Sequence, residues 1–244
     1  GVAIADNVSG PYTYIRSVRL HPHILPINFS KEQLDNAELI EEPKPKNIKE
    51  KVVAGSYFKR DFEKGQMSRD MTLFVDEDQT AYHITASEEN QTLLISKLSE
   101  DYLSFSGEYV RVFPGGRNEA PAIFKKDGKY FMFSSDLTGW NPNPGRISFA
   151  YNIMGEWTAH GNPCRGTTEE EATTFWSQST YVIRVQGKKD AFIFAADRWR
   201  PKDPIDGRYI WLPIEFENDY PIIKWYESWD LSFFDKKNLK MINR

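Results

Sequence analysis

The sequence predicts an all-β protein made of repeated small antiparallel sheets, the blades of a β-propeller. Three segments share one order of elements: a polar first residue, an apolar run, a turn, an aromatic-rich run, a polar loop and a third run. They begin at Asp70, Glu119 and Gln178, so successive starts are 49 and 59 residues apart. Repeats of about 40 to 60 residues with three or four strands are typical of propeller blades rather than of a sandwich.

The turns within the repeats support this interpretation. DEDQ, KDG and QGKKD separate the first two apolar runs of the three segments. Turns that bear Asp and Gly between apolar runs are hairpin signals. Long helical periodicity is nearly absent, and residues 30–42 (SKEQLDNAELIEE) are the one helical candidate. We predict a solvated charged loop for residues 41–51 (EEPKPKNIKEK).

The opening stretch resembles the end of a repeat. Residues 1–15 (GVAIADNVSGPYTYI) match residues 146–160 (RISFAYNIMGEWTAH): a third strand, a small-residue turn and an aromatic residue. The chain is therefore expected to enter at the third strand of a blade whose inner strands lie upstream of Gly1. We predict one propeller domain over residues 1–244, with an incomplete first blade.

Composition narrows the classes of partner. The 244 residues carry a net charge of −4, which argues against nucleic acid or an anionic membrane surface as partner. No apolar run reaches the roughly 20 residues that span a bilayer. The seven Trp, 12 Tyr and 16 Phe suit either a β-rich core or flat faces for sugar rings. Cys164 is the only cysteine, so no intrachain disulfide forms.

The repeat gathers polar residues at one end of the predicted ring. The innermost strands of a propeller line its central channel, so residues that begin them converge. The loops after the second strands return to the same end. The side chains expected there are Asp70, Glu88, Glu119, Asp136, Trp140, Trp176, Gln178, Asp197, Arg198 and Trp199. Two interpretations stay open from the spacing: a structural ring of inter-blade hydrogen bonds, or a working site.

Carboxylates among aromatic side chains suggest glycoside hydrolysis. An acid protonates the leaving oxygen, while a second group activates water or stabilises the oxocarbenium-like centre. A neighbouring carboxylate or an apolar wall raises the pKa of the acid and keeps it protonated near neutral pH. Glu119, followed by the apolar run Ala120-Pro121-Ala122, suits the acid. Asp70, one repeat earlier, suits the charge that orients it.

At these residues the sequence resembles glycoside hydrolase family 43, the five-bladed β-propeller glycosidases, and within it the exo-β-1,3-galactanase branch. EAPA, TGW and SQSTYV in that order form a fairly specific pattern. The resemblance runs from about Ser68 to Phe216 and includes the opening stretch. The matching pieces are SRDMTLFVDEDQTAY, KLSEDYLS, NEAPAIFKKDGKYFMFSSDLTGWNPN, NIMGEW, WSQSTYVI, ADRW and RYIWLPIEF.

The resemblance implies inverting hydrolysis by an exo-acting enzyme. Glu119 would be the general acid, and Asp70 would modulate its pKa and orient the substrate. Most of the family takes its general base, an Asp, from the first blade, and no such Asp is visible here. The galactanase branch places a Gln in the active site instead. Gln178 matches that position and is expected to position the water, because a neutral amide is a poor base.

The expected substrate is an oligo- or polysaccharide with a terminal galactose, arabinofuranose or galactofuranose. The sugar contacts expected beside the catalytic residues are Glu88, Trp140, Trp176, Asp197, Arg198 and Trp199. No cofactor is required; a central-channel Ca²⁺ occurs in some family members, but nothing in this sequence specifies one or any other metal. The family is usually exported, which implies a periplasmic or extracellular location. A carbohydrate-binding propeller without catalysis is the alternative, because the inner strands and base of the first blade are not visible.

Overall fold

The computed structural model describes residues 1–40 and 45–235, and the chain divides into two compact units. The first unit comprises Gly1–Arg69 and Val75–Gly116. The second comprises Asp70–Phe74 and the described residues from Arg117 onward. Strands dominate both units and the helices are short, so the predicted all-β class is confirmed.

The elements are numbered in chain order. The strands are β1 (Val2–Ile4), β2 (Thr13–Arg16), β3 (Met71–Val75), β4 (Ala81–Ser87), β5 (Thr92–Leu98), β6 (Phe105–Val112), β7 (Glu119–Lys126), β8 (Lys129–Ser135), β9 (Arg146–Ala150), β10 (Thr158–Gly161), β11 (Cys164–Arg165), β12 (Gln178–Arg184), β13 (Phe192–Arg198), β14 (Arg208–Glu217) and β15 (Tyr220–Lys224). The α-helices are α1 (Lys31–Asn36), α2 (Ile48–Val53), α3 (Ser56–Asp61) and α4 (Thr168–Thr173). Two 3₁₀ turns cover Pro204–Asp206 and Leu231–Phe234.

In the first unit, β4, β5 and β6 form an antiparallel meander, and β1 and β2 form a two-stranded antiparallel sheet. The middle of the meander is apolar on both faces. Leu93, Leu94 and Ile95 of β5 are all fully buried. A continuous apolar run of this kind is expected for a strand covered on both sides.

The helices of the first unit contribute to its core. Ser30 begins α1 with a capping box, in which its hydroxyl accepts the amide of Gln33 and the Gln33 side chain accepts the amide of Ser30. The helix lies inside the predicted segment 30–42, but it is shorter and ends at Asn36. Phe58 of α3 is fully buried and packs with Tyr109 of β6.

The predicted loop over residues 41–51 is only partly tested. Residues 41–44 lie outside the described part of the chain. The prediction is wrong for the end of the stretch, because α2 begins at Ile48. Val52 of that helix is completely buried, so one apolar side chain anchors a segment that is otherwise strongly charged.

The second unit contains two larger sheets. One has four strands in the order β10-β9-β8-β7, and all of its pairings are antiparallel. The other has five strands in the order β11-β15-β14-β13-β12. Its edge strand β11 pairs in parallel with β15, while the four following strands form an antiparallel meander.

Aromatic side chains fill the core between these strands. Phe124 of β7, Phe133 of β8 and Phe194 of β13 are nearly inaccessible and belong to one cluster. The rings of Phe133 and Phe194 meet edge to face, with 5.0 Å between centroids. These aromatic residues therefore belong to the core and not to a binding surface.

The repeated meanders agree with the predicted repeat, while closure into a ring of five blades stays a prediction. No helix in the described part of the chain is long and apolar enough to cross a membrane.

Candidate active site

The three predicted repeat starts coincide with strand starts in the second unit. Asp70 immediately precedes β3, Glu119 is the first residue of β7, and Gln178 is the first residue of β12. In the sheets, Glu119 lies opposite Ser135 of β8, and Gln178 lies opposite Asp197 of β13. The sequence therefore identified the strand starts correctly.

The backbone beside Glu119 is held by two side chains from elsewhere in the chain. The amide of Ala120 donates to Oδ2 of Asp70 at 3.2 Å. Its carbonyl oxygen accepts from the hydroxyl of Ser179 at 2.6 Å. Asp70 and β12 thus fix the peptide that follows the predicted acid, and Glu119 itself is half-buried there.

Ala120 has an unusual conformation, because its φ is +52°. A non-glycine residue in the left-handed region costs about 1 kcal/mol or more. The register of β7 against β8 shifts between Glu119 and Ala122, so the strand has a bulge at this point. Bulges often re-aim side chains next to active sites, and this one lies directly after Glu119.

Gln178 is tied to the strand that faces Glu119. Its side-chain amide nitrogen donates to the hydroxyl of Ser135 at 2.7 Å. Ser135 is also the residue opposite Glu119, so one serine connects the starts of β7 and β12. This orientation leaves the amide oxygen of Gln178 as an acceptor for a substrate or a water molecule.

Asp197 and Asp70 interact electrostatically. Burial raises the pKa of the Asp197 carboxyl, and the negative charge of Asp70 raises it further. A neighbouring negative charge favours the protonated form of a carboxyl group. Asp70 thus contacts the Glu119 segment through a hydrogen bond and influences Asp197 through its charge.

An aromatic cleft of about 340 Å³ lies in the same unit. Its lining residues are Trp140, Pro142, Trp176, Arg198, Trp199 and Arg200. The indole nitrogen of Trp199 donates to the carbonyl of Trp140 at 2.9 Å, and the two rings meet at 65°. Trp140 is 69% exposed and Trp176 is 43% exposed, so large indole surfaces face solvent.

A strained turn presents Trp176. Thr174, Phe175 and Trp176 all have φ between +50° and +55°. The hydroxyl of Thr174 donates to the carbonyl of Asn143, and Arg198 donates to the carbonyl of Phe175 at 2.6 Å. Three consecutive left-handed residues persist only where their surroundings hold them, and such strain concentrates at functional sites.

Glu88 is the one predicted sugar contact outside the second unit. It lies in the first unit, is fully buried, and both of its carboxylate oxygens accept from Arg111 at 2.7 Å. Four predicted contacts, in contrast, line the cleft: Trp140, Trp176, Arg198 and Trp199. Both oxygens of Glu88 are hydrogen-bonded to Arg111 in this structure. Contact of Glu88 with a sugar stays a prediction.

Sequence reasoning missed Ser135, Ser179, Pro142 and Arg200. Ser135 had a readable signal, because it ends the second strand of the repeat that Glu119 begins. Ser179 stands within the SQST motif beside Gln178. The support that Ser179 gives to Ala120 spans 59 residues, and no local pattern predicts such a contact.

A half-buried carboxyl group at a strand start, a second carboxylate held beside it and a cleft of exposed tryptophans are typical of a carbohydrate-processing site. The model of the glycosyl hydrolases family 43 matches residues 52–221. The chain therefore belongs to glycoside hydrolase family 43.

Solved structures of family 43 enzymes are similar to this chain. A β-1,3-galactosidase with galactodeoxynojirimycin is 46% identical, with a TM-score of 0.88, over 94% of this chain and 67% of that chain. A second β-1,3-galactosidase is 42% identical, with a TM-score of 0.68, over 70% of this chain and 36% of that one. An exo-β-1,3-galactanase from Clostridium thermocellum is 28% identical, with a TM-score of 0.67, over 91% of this chain and 41% of that one.

This chain thus spans about two thirds of the first structure and under half of the other two. The comparison with curated proteins finds no match.

Proposed function

We propose that the chain acts as an inverting, exo-acting glycoside hydrolase that removes terminal galactose from oligo- or polysaccharides. The observation that carries this proposal is the convergence at Ala120: Asp70 and Ser179 hold the peptide next to Glu119, while Gln178 reaches Ser135 opposite it. The similar structures named β-1,3-galactosidase or exo-β-1,3-galactanase favour galactose over arabinofuranose or galactofuranose. We also propose that the repeated meanders belong to one five-bladed β-propeller domain.

In the proposed mechanism, Glu119 donates its proton to the glycosidic oxygen as the bond to the leaving sugar breaks. Asp70 fixes the peptide after Glu119 and supplies a negative charge near the developing positive centre. The amide oxygen of Gln178 accepts a hydrogen bond from the water that attacks the opposite face of the sugar. Attack from that face inverts the anomeric configuration, the proton that the water loses passes to solvent, and Glu119 regains its proton from solvent. No step uses a cofactor.

Substitution of Glu119 tests this proposal. Glu119→Gln should lower kcat on β-1,3-galactan by about 10²- to 10⁴-fold, the usual contribution of a general acid. The loss should be much smaller on dinitrophenyl β-galactoside, because that leaving group needs no protonation. Released galactose measures the rate, and NMR of the first product gives its anomeric configuration.

Glu217→Gln is the matched control, since Glu217 is 54% exposed and pairs only with Arg165 among the described residues. It should retain wild-type activity. The wild-type chain is also assayed on aryl α-L-arabinofuranoside and aryl β-galactofuranoside. Full activity of Glu119→Gln on galactan would refute the assignment of the acid. Binding of galactan without release of any sugar from wild type would favour the non-catalytic carbohydrate-binding alternative.

A further inference from the structure

The aromatic cleft has an excess of positive charge. Arg198 and Arg200 both line it, and no Asp or Glu lines it. Arg198 donates to the carbonyl of Phe175 and lies 5.2 Å over the ring of Trp225. Among the described residues no carboxylate forms an ion pair with Arg198, and its Nε has no hydrogen-bond partner. The charge of this half-buried guanidinium is therefore not offset by the protein.

Arg200 adds a second guanidinium to the cleft, and its ion-pair partner, Asp206, also pairs with Arg208. It pairs with Asp206 at 3.0 Å, and Arg208 pairs with the other oxygen of the same carboxylate. One carboxylate thus offsets two guanidiniums. Burial lowers the pKa of Arg198, and the nearby charge of Arg200 lowers it further. The two cationic groups of the cleft repel each other, and a bound anion would relieve that repulsion.

Asp197 does not neutralise the cleft. It precedes Arg198 in β13, and successive side chains of a strand point to opposite faces of the sheet. Its own carboxyl has a raised pKa and interacts with Asp70 instead. Asp197 therefore interacts with Asp70, whereas Arg198 and Arg200 line the cleft.

We propose that the cleft binds an anionic sugar, one that bears a carboxylate or a sulfate group, with the anion facing Arg198 and Arg200. The exposed faces of Trp140 and Trp176 offer apolar surfaces against which the ring of the same sugar packs. Guanidinium forks match planar and tetrahedral oxyanions through paired hydrogen bonds. The inference rests on the proposed function in one respect, that the ligand is a glycan.

Calorimetric titration of three ligands tests the inference. The first is a neutral β-galactosyl disaccharide. The second has glucuronate in place of the second sugar, and the third is the neutral disaccharide with a sulfate ester on its second sugar. The Glu119→Gln variant is used, so that no ligand is consumed. At least one acidic ligand should bind about tenfold more tightly than the neutral one, the effect of one charge-assisted hydrogen bond. The preferred ligand identifies carboxylate or sulfate as the group recognised.

Variants then locate the anion. The preference should disappear when Arg200→Gln or Arg198→Gln is added, because either variant removes one positive charge from the cleft. Arg165→Gln is the matched control, because Arg165 pairs with Glu217 and does not line the cleft. It should keep the preference. Trp140→Ala should weaken all three ligands alike. Equal affinity for the neutral and both acidic ligands, or a preference that survives both cleft arginine variants, would overturn the inference.

The outcomes separate the two proposals. If wild type releases galactose from galactan but the chain shows no preference for an acidic ligand, only the cleft inference fails. If an acidic ligand is preferred but no sugar is ever released, the hydrolase proposal fails and the anionic site stands.

Discussion

Glu88 in the first unit and Glu119 in the second both stand where a strand meets a loop, yet their surroundings differ. Glu88 directly follows β4, and Glu119 begins β7. Glu88 is fully buried, with both oxygens held by Arg111, whose side chain is only 4% exposed. Glu119 is half-buried in a region where the charge of Asp70 acts on Asp197.

Arg111 is built into the first unit from several sides. It donates to the carbonyl of Val52 at 2.9 Å, and its guanidinium lies 4.9 Å over the ring of Phe29. The charge of Glu88 is thereby neutralised by a partner that is itself fixed. Removal of either partner would leave the other charge buried without compensation.

The second unit places carboxyl groups near each other instead. Burial and the charge of Asp70 together raise the pKa of Asp197. A raised pKa means that Asp197 keeps its proton to a higher pH than an ordinary aspartic acid does. The difference teaches that the partner of a carboxylate, more than its burial, separates a structural group from a chemical one in this chain.

The largest expected effect concerns the buried ion pair. Arg111→Met leaves the Glu88 carboxylate buried without its cation, which should lower the free energy of unfolding by about 3–5 kcal/mol. All seven tryptophans lie in the second unit, so tryptophan fluorescence would not follow unfolding of the first unit. The loss is therefore measured by circular dichroism in urea and by amide hydrogen exchange in β4–β6. Glu88→Gln combined with Arg111→Met should restore much of the stability. A loss below about 1 kcal/mol in the single variant would break the comparison.

The next effect is a pH dependence of the first unit. Burial lowers the pKa of His21 and of His83 to about 4. Because the unfolded chain takes up these protons first, the stability is present above a pH of about 6.5 and is lost as the pH falls toward 4. Between about pH 7 and pH 5 the loss should be about 2 kcal/mol for each histidine.

Urea unfolding at a series of pH values checks this expectation. His21, which hydrogen-bonds Ser96 and stacks on Tyr109, is replaced by Gln; the exposed His23 is replaced by Gln as the control. The pH slope should flatten for His21→Gln and stay unchanged for His23→Gln. Identical slopes in the two variants would contradict the assignment.

The smallest effect sharpens the catalytic side. Asp70→Asn keeps an oxygen that can accept from the amide of Ala120, but it removes the negative charge. The pKa of Asp197 should then fall, which carboxyl NMR measures directly. The rate on galactan should drop about tenfold, because the charge near the reacting centre is lost while the position of Glu119 is largely kept. An unchanged Asp197 titration would show that burial alone sets that pKa.

Much of the strand framework was predictable, because it depends on short-range patterns. Alternating apolar runs with Asp- and Gly-bearing turns placed the starts of β7 and β12 at Glu119 and Gln178. The short helices were less predictable. The six residues of α2 contain three charged ones, and only the burial of Val52 against the rest of the unit explains the helix. Short helices depend on tertiary contacts more than on propensity.

The sequence by itself determined the repeated runs of strands, the residue types at the strand starts and the family, because these follow from local periodicity and motif order. The tertiary structure decided the partners. Arg111 is 23 residues from Glu88, and Ser179 is 59 residues from Ala120, so no local pattern shows either contact. The strained conformations of Ala120 and Trp176 are likewise maintained by distant neighbours. The sequence specifies which side chains are present. Their burial and their hydrogen-bond and charge partners arise only when remote segments pack together.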